Sequence, residues 1–228
     1  MKHGVGSAAS QRREWLKRAL LGGAVLPLLL RDAVAARKQS SGLVRMHGEV
    51  LINGIAARNG TPVRPGDSVI TGAASSAVFV VGRDAFLLRE GSELLTAGNR
   101  ALIGSLRLVT GKLLSVFGRG PRRISTQTAT IGIRGTGIYI EAEAERTYVC
   151  TCYGVVDMQA NNMPEARETV HTTHHDAPRY IYAHGEMPIK MIEVAPVINH
   201  DDAELIMLEA LVGRKPPFTG AAVEYRKY

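Results

Sequence analysis

Between residues 43 and 158, turn signals recur about every 8 to 12 residues and no segment of helical period separates them. Met46 to Ile52 reads as a strand ending at Asn53-Gly54, a pair that accepts the positive φ of a type I′ hairpin. Pro62, Pro65, Gly66 and Asp67 mark a loop before a strand from Ser68 to Thr71. Ala77–Val81 and Ala85–Leu88 flank Gly82-Arg83-Asp84 as a second hairpin, and Leu106–Val109 and Lys112–Phe117 flank Thr110-Gly111 as a third. Twenty-four glycines and an aromatic content of only 5% suit many tight turns. The expected fold class is therefore all-β: a sandwich, barrel or rolled sheet of short strands, with one C-terminal α-helix and an N-terminal signal helix.

The stretch Ile124 to Met158 holds the most information. Strand-forming residues run through Ile131-Gly132-Ile133-Arg134-Gly135-Thr136-Gly137, resume as Ile138-Tyr139-Ile140, turn near Glu145 and return through Tyr148, Cys150 and Cys152. Gly135 and Gly137 are expected where strands approach closely or bulge. Arg134 is read as a structural ion-pair partner or an anion contact.

The N-terminus reads Ser10-Gln11-Arg12-Arg13-Glu14-Trp15-Leu16-Lys17, then an apolar run from Ala19 to Leu30. About a dozen residues are too few for a conventional span of about 20. A basic start, a modest apolar run and Ala33-Val34-Ala35 fit an export signal with small residues at its cleavage site. The pair Arg12 and Arg13, followed by an aromatic, Leu and Lys, resembles a twin-arginine (Tat) signal. That resemblance implies the Tat translocase as a transient partner, folding before export and a bacterial periplasmic destination. The membrane would be touched only through an uncleaved leader. Six basic and two acidic residues in 1–35 carry +4 of the +7 net charge, leaving +3 elsewhere. The remaining basic residues are scattered rather than striped, so nucleic acid is not an expected partner.

A second resemblance rests on an ordered set of positions: Val63, Gly66-Asp67, Val69, Thr71-Gly72, Ser75 and Ala77; then Glu90-Gly91-Ser92; then Leu108 and Gly111-Lys112-Leu113. Thr126 to Thr136, with its Ile-Arg-Gly-Thr (Arg134, Gly135, Thr136), and Tyr153-Gly154-Val155-Val156 complete it. Together these residues, spanning about 47 to 158, resemble a FecR-type domain. The resemblance implies a β-rich periplasmic module that binds or scaffolds a protein or small ligand. The founding type relays an iron-citrate signal from an outer-membrane receptor to a sigma factor. No helical anti-sigma region precedes the apolar run here, so sigma-factor regulation is not carried over.

Cys150 and Cys152 are two apart, which on a strand places both on one face and Val149, Thr151 and Tyr153 on the other. Three readings stay open: inert small side chains, a strained and reducible disulfide, or half of a tetrahedral metal site. For the third, the remaining ligands would come from His171, His174 and His175, with Asn161-Asn162-Met163-Pro164 as the turn that brings the chain back. His171 and His175 would share a strand face and His174 would point away. Thiolate with imidazole suits zinc, copper or iron.

Asp201 with Glu204 forms a capping-box pattern for a helix over 202–212, whose apolar positions are Leu205, Ile206, Leu208, Leu211 and Val212 and whose end is Gly213 with Pro216-Pro217. That helix either packs across the β-domain or docks a partner. Gly132-x-x-Gly135-x-Gly137 lacks the following helix of a phosphate loop, and no Gly-x-Ser-x-Gly elbow occurs, so no catalytic residues are assigned. The expected layout is a leader (1–35), a linker (36–42), a FecR-like β-domain (43–160) and an extension (161–228) with the His-rich stretch and the helix. The expected function is an exported, non-enzymatic sensing or interaction module, in metal-related signalling. The alternative is a periplasmic metal-binding or thiol redox protein built on Cys150 and Cys152 with a downstream histidine.

Overall fold

The computed structural model describes residues 41–99, 102–184 and 190–220. The signal helix expected in 1–35, with Arg12 and Arg13, lies outside the described residues. Among the described residues, fourteen strands form one hydrogen-bonded sheet: β1 (Gly42–His47), β2 (Val50–Ile52), β3 (Ile55–Ala56), β4 (Ser68–Thr71), β5 (Ser76–Val81), β6 (Asp84–Leu88) and β7 (Glu93–Asn99), followed by β8 (Leu102–Val116), β9 (Pro121–Ser125), β10 (Ala129–Ala142), β11 (Arg146–Ala160), β12 (Arg167–Thr172), β13 (Arg179–Tyr182) and β14 (Ile192–Val194). One α-helix, α1 (Asp202–Leu211), follows, and then a short 3₁₀ turn at Pro217–Gly220. The all-β class expected from turn spacing is what the chain adopts.

The main path of the sheet runs β14-β13-β11-β10-β9-β8-β7-β4-β2-β3, with β1, β5 and β6 branching from β8 and β12 from β11. The long strands roll it. The first part of β8 pairs with β7 and, in parallel, with β9, while its second part pairs with β6 and β10. β9 also pairs with the first part of β10, so β8, β9 and β10 close on one another. This roll encloses an apolar core that includes Phe79, Phe86, Leu113, Ile138, Ile140 and Val149.

Local chemistry explains both the agreements and the departures. Asn53 and Gly54 take positive φ (52° and 77°) and close the β2–β3 hairpin as expected. The strand expected over Met46–Ile52 is instead broken at Gly48 (φ 68°), where a Cβ would lie 2.2 Å from the Ser75 hydroxyl oxygen. The hairpin expected at Thr110-Gly111 does not form, because β8 runs straight through it. Gly111 is needed there for its positive φ (92°) and for close contact: a Cβ would meet Ser92 Oγ at 2.1 Å, and Ser92 Oγ accepts the Lys112 amide hydrogen bond at 2.9 Å.

From Thr136 to Ala142, β10 is buried at every residue. Alternation explains how: Ile138, Ile140 and Ala142 enter the core inside the roll, while Tyr139 joins a second cluster on the opposite face. That cluster, with Tyr148, Cys150 and Cys152 from β11, is roofed by Leu205 and Leu208 of α1. Leu205 and Leu208 are fully buried, whereas Ile206, expected on the apolar face, is 41% exposed. The capping box forms as the sequence predicts, with Asp201 accepting from the Glu204 amide and the Glu204 side chain accepting from the Asp201 amide.

Candidate metal centre

β11 is covered along its outer edge by two strands that leave a gap between them. β12 pairs with Gly154–Gln159 and β13 with Arg146–Val149, so Cys150 to Tyr153 face neither strand. The loop joining β12 to β13 crosses that gap, and the His175 amide donates to the Cys152 carbonyl at 3.0 Å. His175 has φ 48°, outside the strand region, so period-two facing stops at Thr172. The expectation that His171 and His175 share a strand face is therefore corrected. His171 stays on β12 opposite Val155, exposed and away from the cysteines.

A pair of compensating irregularities shapes the strand beneath. Between Gly137↔Tyr153 and Ile138↔Thr151, Cys152 is the extra residue of a bulge. Tyr153 consequently joins Cys150 and Cys152 on the outer face, contrary to the simple alternation expected of it. Gly137 is required here, since a Cβ would lie 2.5 Å from the Tyr153 ring, and Gly135 supplies positive φ (58°). Thr136 is fully buried and Arg134 exposed, so Arg134 makes no internal ion pair among the described residues.

A candidate ligand that the sequence did not reveal arrives from the C-terminal arm. Tyr148 accepts the Ile198 amide (3.3 Å) and donates to the Pro196 carbonyl (2.9 Å). Asn199 donates to buried Glu141 (2.8 Å), which also accepts from the Tyr139 hydroxyl (2.7 Å). Arg89 ties the arm from the other side, to the Asn199 carbonyl (2.7 Å) and to Glu204 (2.8 Å). These contacts lay the His200 ring on Tyr139, with centroids 4.5 Å apart and planes 22° apart.

Cys150, Cys152, His175 and His200 thereby converge, each offering one ligand atom, all within 4.8 Å of one another. Cys150 Sγ lies 3.7 Å from His175 Nδ1, which lies 2.9 Å from His200 Nε2. Zinc–sulfur bonds of about 2.3 Å and zinc–nitrogen bonds of about 2.0–2.1 Å imply tetrahedral edges of about 3.8 Å (S–S), about 3.6 Å (S–N) and about 3.3 Å (N–N). The Cys150–His175 and His175–His200 separations lie within about 0.4 Å of these edges. His174 is not part of this group. It is held with His175 around Asp202, His174 Nε2 at 2.8 Å and His175 Nε2 at 3.1 Å from Oδ1.

The outer nitrogens of the two converging rings are already committed. His200 Nδ1 donates to the Ile198 carbonyl (2.6 Å), and His175 Nε2 donates to the Asp202 carboxylate. In neutral rings, both inward nitrogens would then be bare lone pairs 2.9 Å apart, an arrangement that repels unless a cation or a proton sits between them. Backing of each imidazole by a carbonyl or carboxylate is the arrangement that orients metal-binding histidines. Without a metal, electrostatics favour the thiolate at Cys150 and the protonated forms of Cys152 and His175. Hydrogen bonding from Cys152, then from His175 and His200, holds the Cys150 thiol well below its ordinary range despite burial. Burial, with the neighbouring Cys150, pushes Cys152 up. Burial lowers His175, but Cys150 and Asp202 outweigh it and the net direction is upward.

A thiolate beside an imidazole and a carboxylate is also the layout of an activated nucleophile. Both cysteines are at 0% exposure, so no substrate reaches either sulfur in this arrangement. Both are free thiols, and the disulfide reading is not realised.

No family model matches the chain, and no curated protein sequence matches it. Two crystal structures of a candidate anti-sigma factor from Parabacteroides distasonis are similar in part, each with a TM-score of 0.45 at 13% identity. The likeness covers 55% of this chain and 57% of that one.

Proposed function

We propose that the chain is an exported, non-enzymatic β-module of FecR type whose sensing or interaction role depends on a transition metal held by Cys150, Cys152, His175 and His200. A tetrahedral S₂N₂ donor set suits zinc best, with copper or iron as the other thiophilic choices. The observation that carries this reading is the pair of inward imidazole nitrogens 2.9 Å apart, each with its other nitrogen already donating, beside the Cys150 sulfur. Asp202 and the Ile198 carbonyl are the supporting shell, and Tyr139 positions the His200 ring. The Tat-like leader supports the periplasm as the destination and a cytoplasmic loading step before export.

Metal analysis of the purified protein tests the site directly. Near one equivalent of zinc is expected in the wild type, and none in the Cys150→Ser/Cys152→Ser double variant. Near-zero metal in both, after purification without chelators and with zinc supplied, removes the proposal. Cell fractionation tests the address: the processed form belongs in the periplasmic fraction, and replacing Arg12 and Arg13 by Lys should retain it in the cytoplasm.

A further inference from the structure

The two sulfurs are closed off from water, yet an incoming cation arrives hydrated. Cys150 and Cys152 are fully buried, and the His175 side chain is only 11% exposed. Its ring divides two environments, with Nδ1 turned to the sulfurs and Nε2 turned to Asp202. On that outward side His174, Asp202 and His175 form a second convergent group. The side chains of His174 and Asp202 are 43% and 22% exposed, so this group opens to solvent.

Supporting His175 would require only one carboxylate oxygen. His174 goes beyond that, because its Nε2 lies 2.8 and 3.0 Å from the two Asp202 oxygens. The ring is also held in place: its centroid is 4.7 Å from that of Phe218 and 4.8 Å from that of His175, and the His174 amide donates to Thr172 Oγ1 at 3.2 Å. An exposed histidine serving only as a surface ion-pair partner needs no such support.

Building on the thiolate–imidazole reading, we propose that His174 and Asp202 form an outer, weaker metal position through which a divalent cation passes on its way to the buried one. The aqua ion exchanges some of its waters for the Asp202 carboxylate and for His174 Nε2, whose proton goes to solvent and is taken back when the ion leaves. It then leaves them for Cys150 and Cys152 Sγ, His175 Nδ1 and His200 Nε2. The remaining waters, together with each proton carried by the two thiols and the two inward imidazole nitrogens, are released to solvent. Asp202 returns to its hydrogen bond with His175. Every step is ligand exchange, and no oxidant or reductant is needed.

Cobalt(II) added to the reduced, metal-stripped full chain reports the transfer, because thiolate coordination produces a sulfur-to-cobalt charge-transfer band that the outer position cannot produce. In stopped-flow mixing, His174→Ala should reach the wild-type final band but about tenfold more slowly, the scale on which local charge and ligands raise capture rates. His171→Ala, also exposed but outside both groups, should follow wild-type kinetics. Equal rates for His174→Ala and wild type would overturn the port and leave the buried site standing. A reduced final band in His174→Ala would also overturn it, since His174 would then be an equilibrium ligand. No band in the wild type would overturn the port together with the metal site beneath it.

Discussion

The two faces of the β10–β11 pair share one backbone and serve different ends. Inward, Ile138, Ile140 and Val149 fill a mostly apolar core, in which the buried Thr147 hydroxyl is bonded to Thr126 and Thr128. Outward, Tyr139, Tyr148, Cys150 and Cys152 are just as buried, but each carries a polar atom and lies beneath the C-terminal arm. A face that is mostly apolar is satisfied largely by close-packed neighbours. A buried face bearing hydroxyls and thiols needs specific partners, and here Pro196, Glu141, His175 and His200 supply them. The difference teaches that burial alone does not mark structural residues: on one sheet, alternate positions separate packing from chemistry.

The largest expected effect falls on the inward face. Ile140→Ala should lower unfolding free energy by about 2–5 kcal/mol in a denaturant titration, by the same amount with and without zinc. A zinc-dependent loss would mean that the two faces are not independent. The outward face should respond to metal instead. Saturating zinc at about 1,000 times Kd should stabilise the wild type by about 4 kcal/mol, and the Cys150→Ser/Cys152→Ser variant not at all. Next, Asp202→Asn should weaken zinc binding about 10–100-fold by loosening the His175 ring, measured by competition with a chromogenic chelator. An unchanged affinity would leave Asp202 only its place in the helix. Smallest is Asp201→Ala, which removes the α1 cap and should cost about 1 kcal/mol with zinc affinity nearly unchanged. A large affinity loss there would show that the helix start sets the His200 position more directly than Tyr139 and Asn199 do.

Much of this was legible from local signals. Turn spacing identified the all-β class, Asn53-Gly54 the hairpin, and Asp201 with Glu204 the helix start. Glycine was the ambiguous letter. Gly111 reads as a turn residue, yet it lets β8 run past Ser92, because absence of a side chain serves close approach as well as sharp bending. At the site, the cysteine pair and His175 were within reach of pattern reading. His200 was not, since the residue before a helix cap carries no ligand signal. A hint was present in Asp201-Asp202: the capping box uses only the first acid, and the second faces two histidines.

Alternation and turn chemistry act between residues a few positions apart, so the sequence by itself determined the strands, the helix start and the shared face of Cys150 and Cys152. Which imidazoles meet those sulfurs depended on where β12 and β13 stop pairing along β11, and on the course of the arm over Tyr148 and Tyr139. The side-chain contacts from Cys150 to His175 and from Tyr139 to His200 join residues 25 and 61 positions apart. Only packing of the whole sheet brings them together, because no local preference extends that far along a chain.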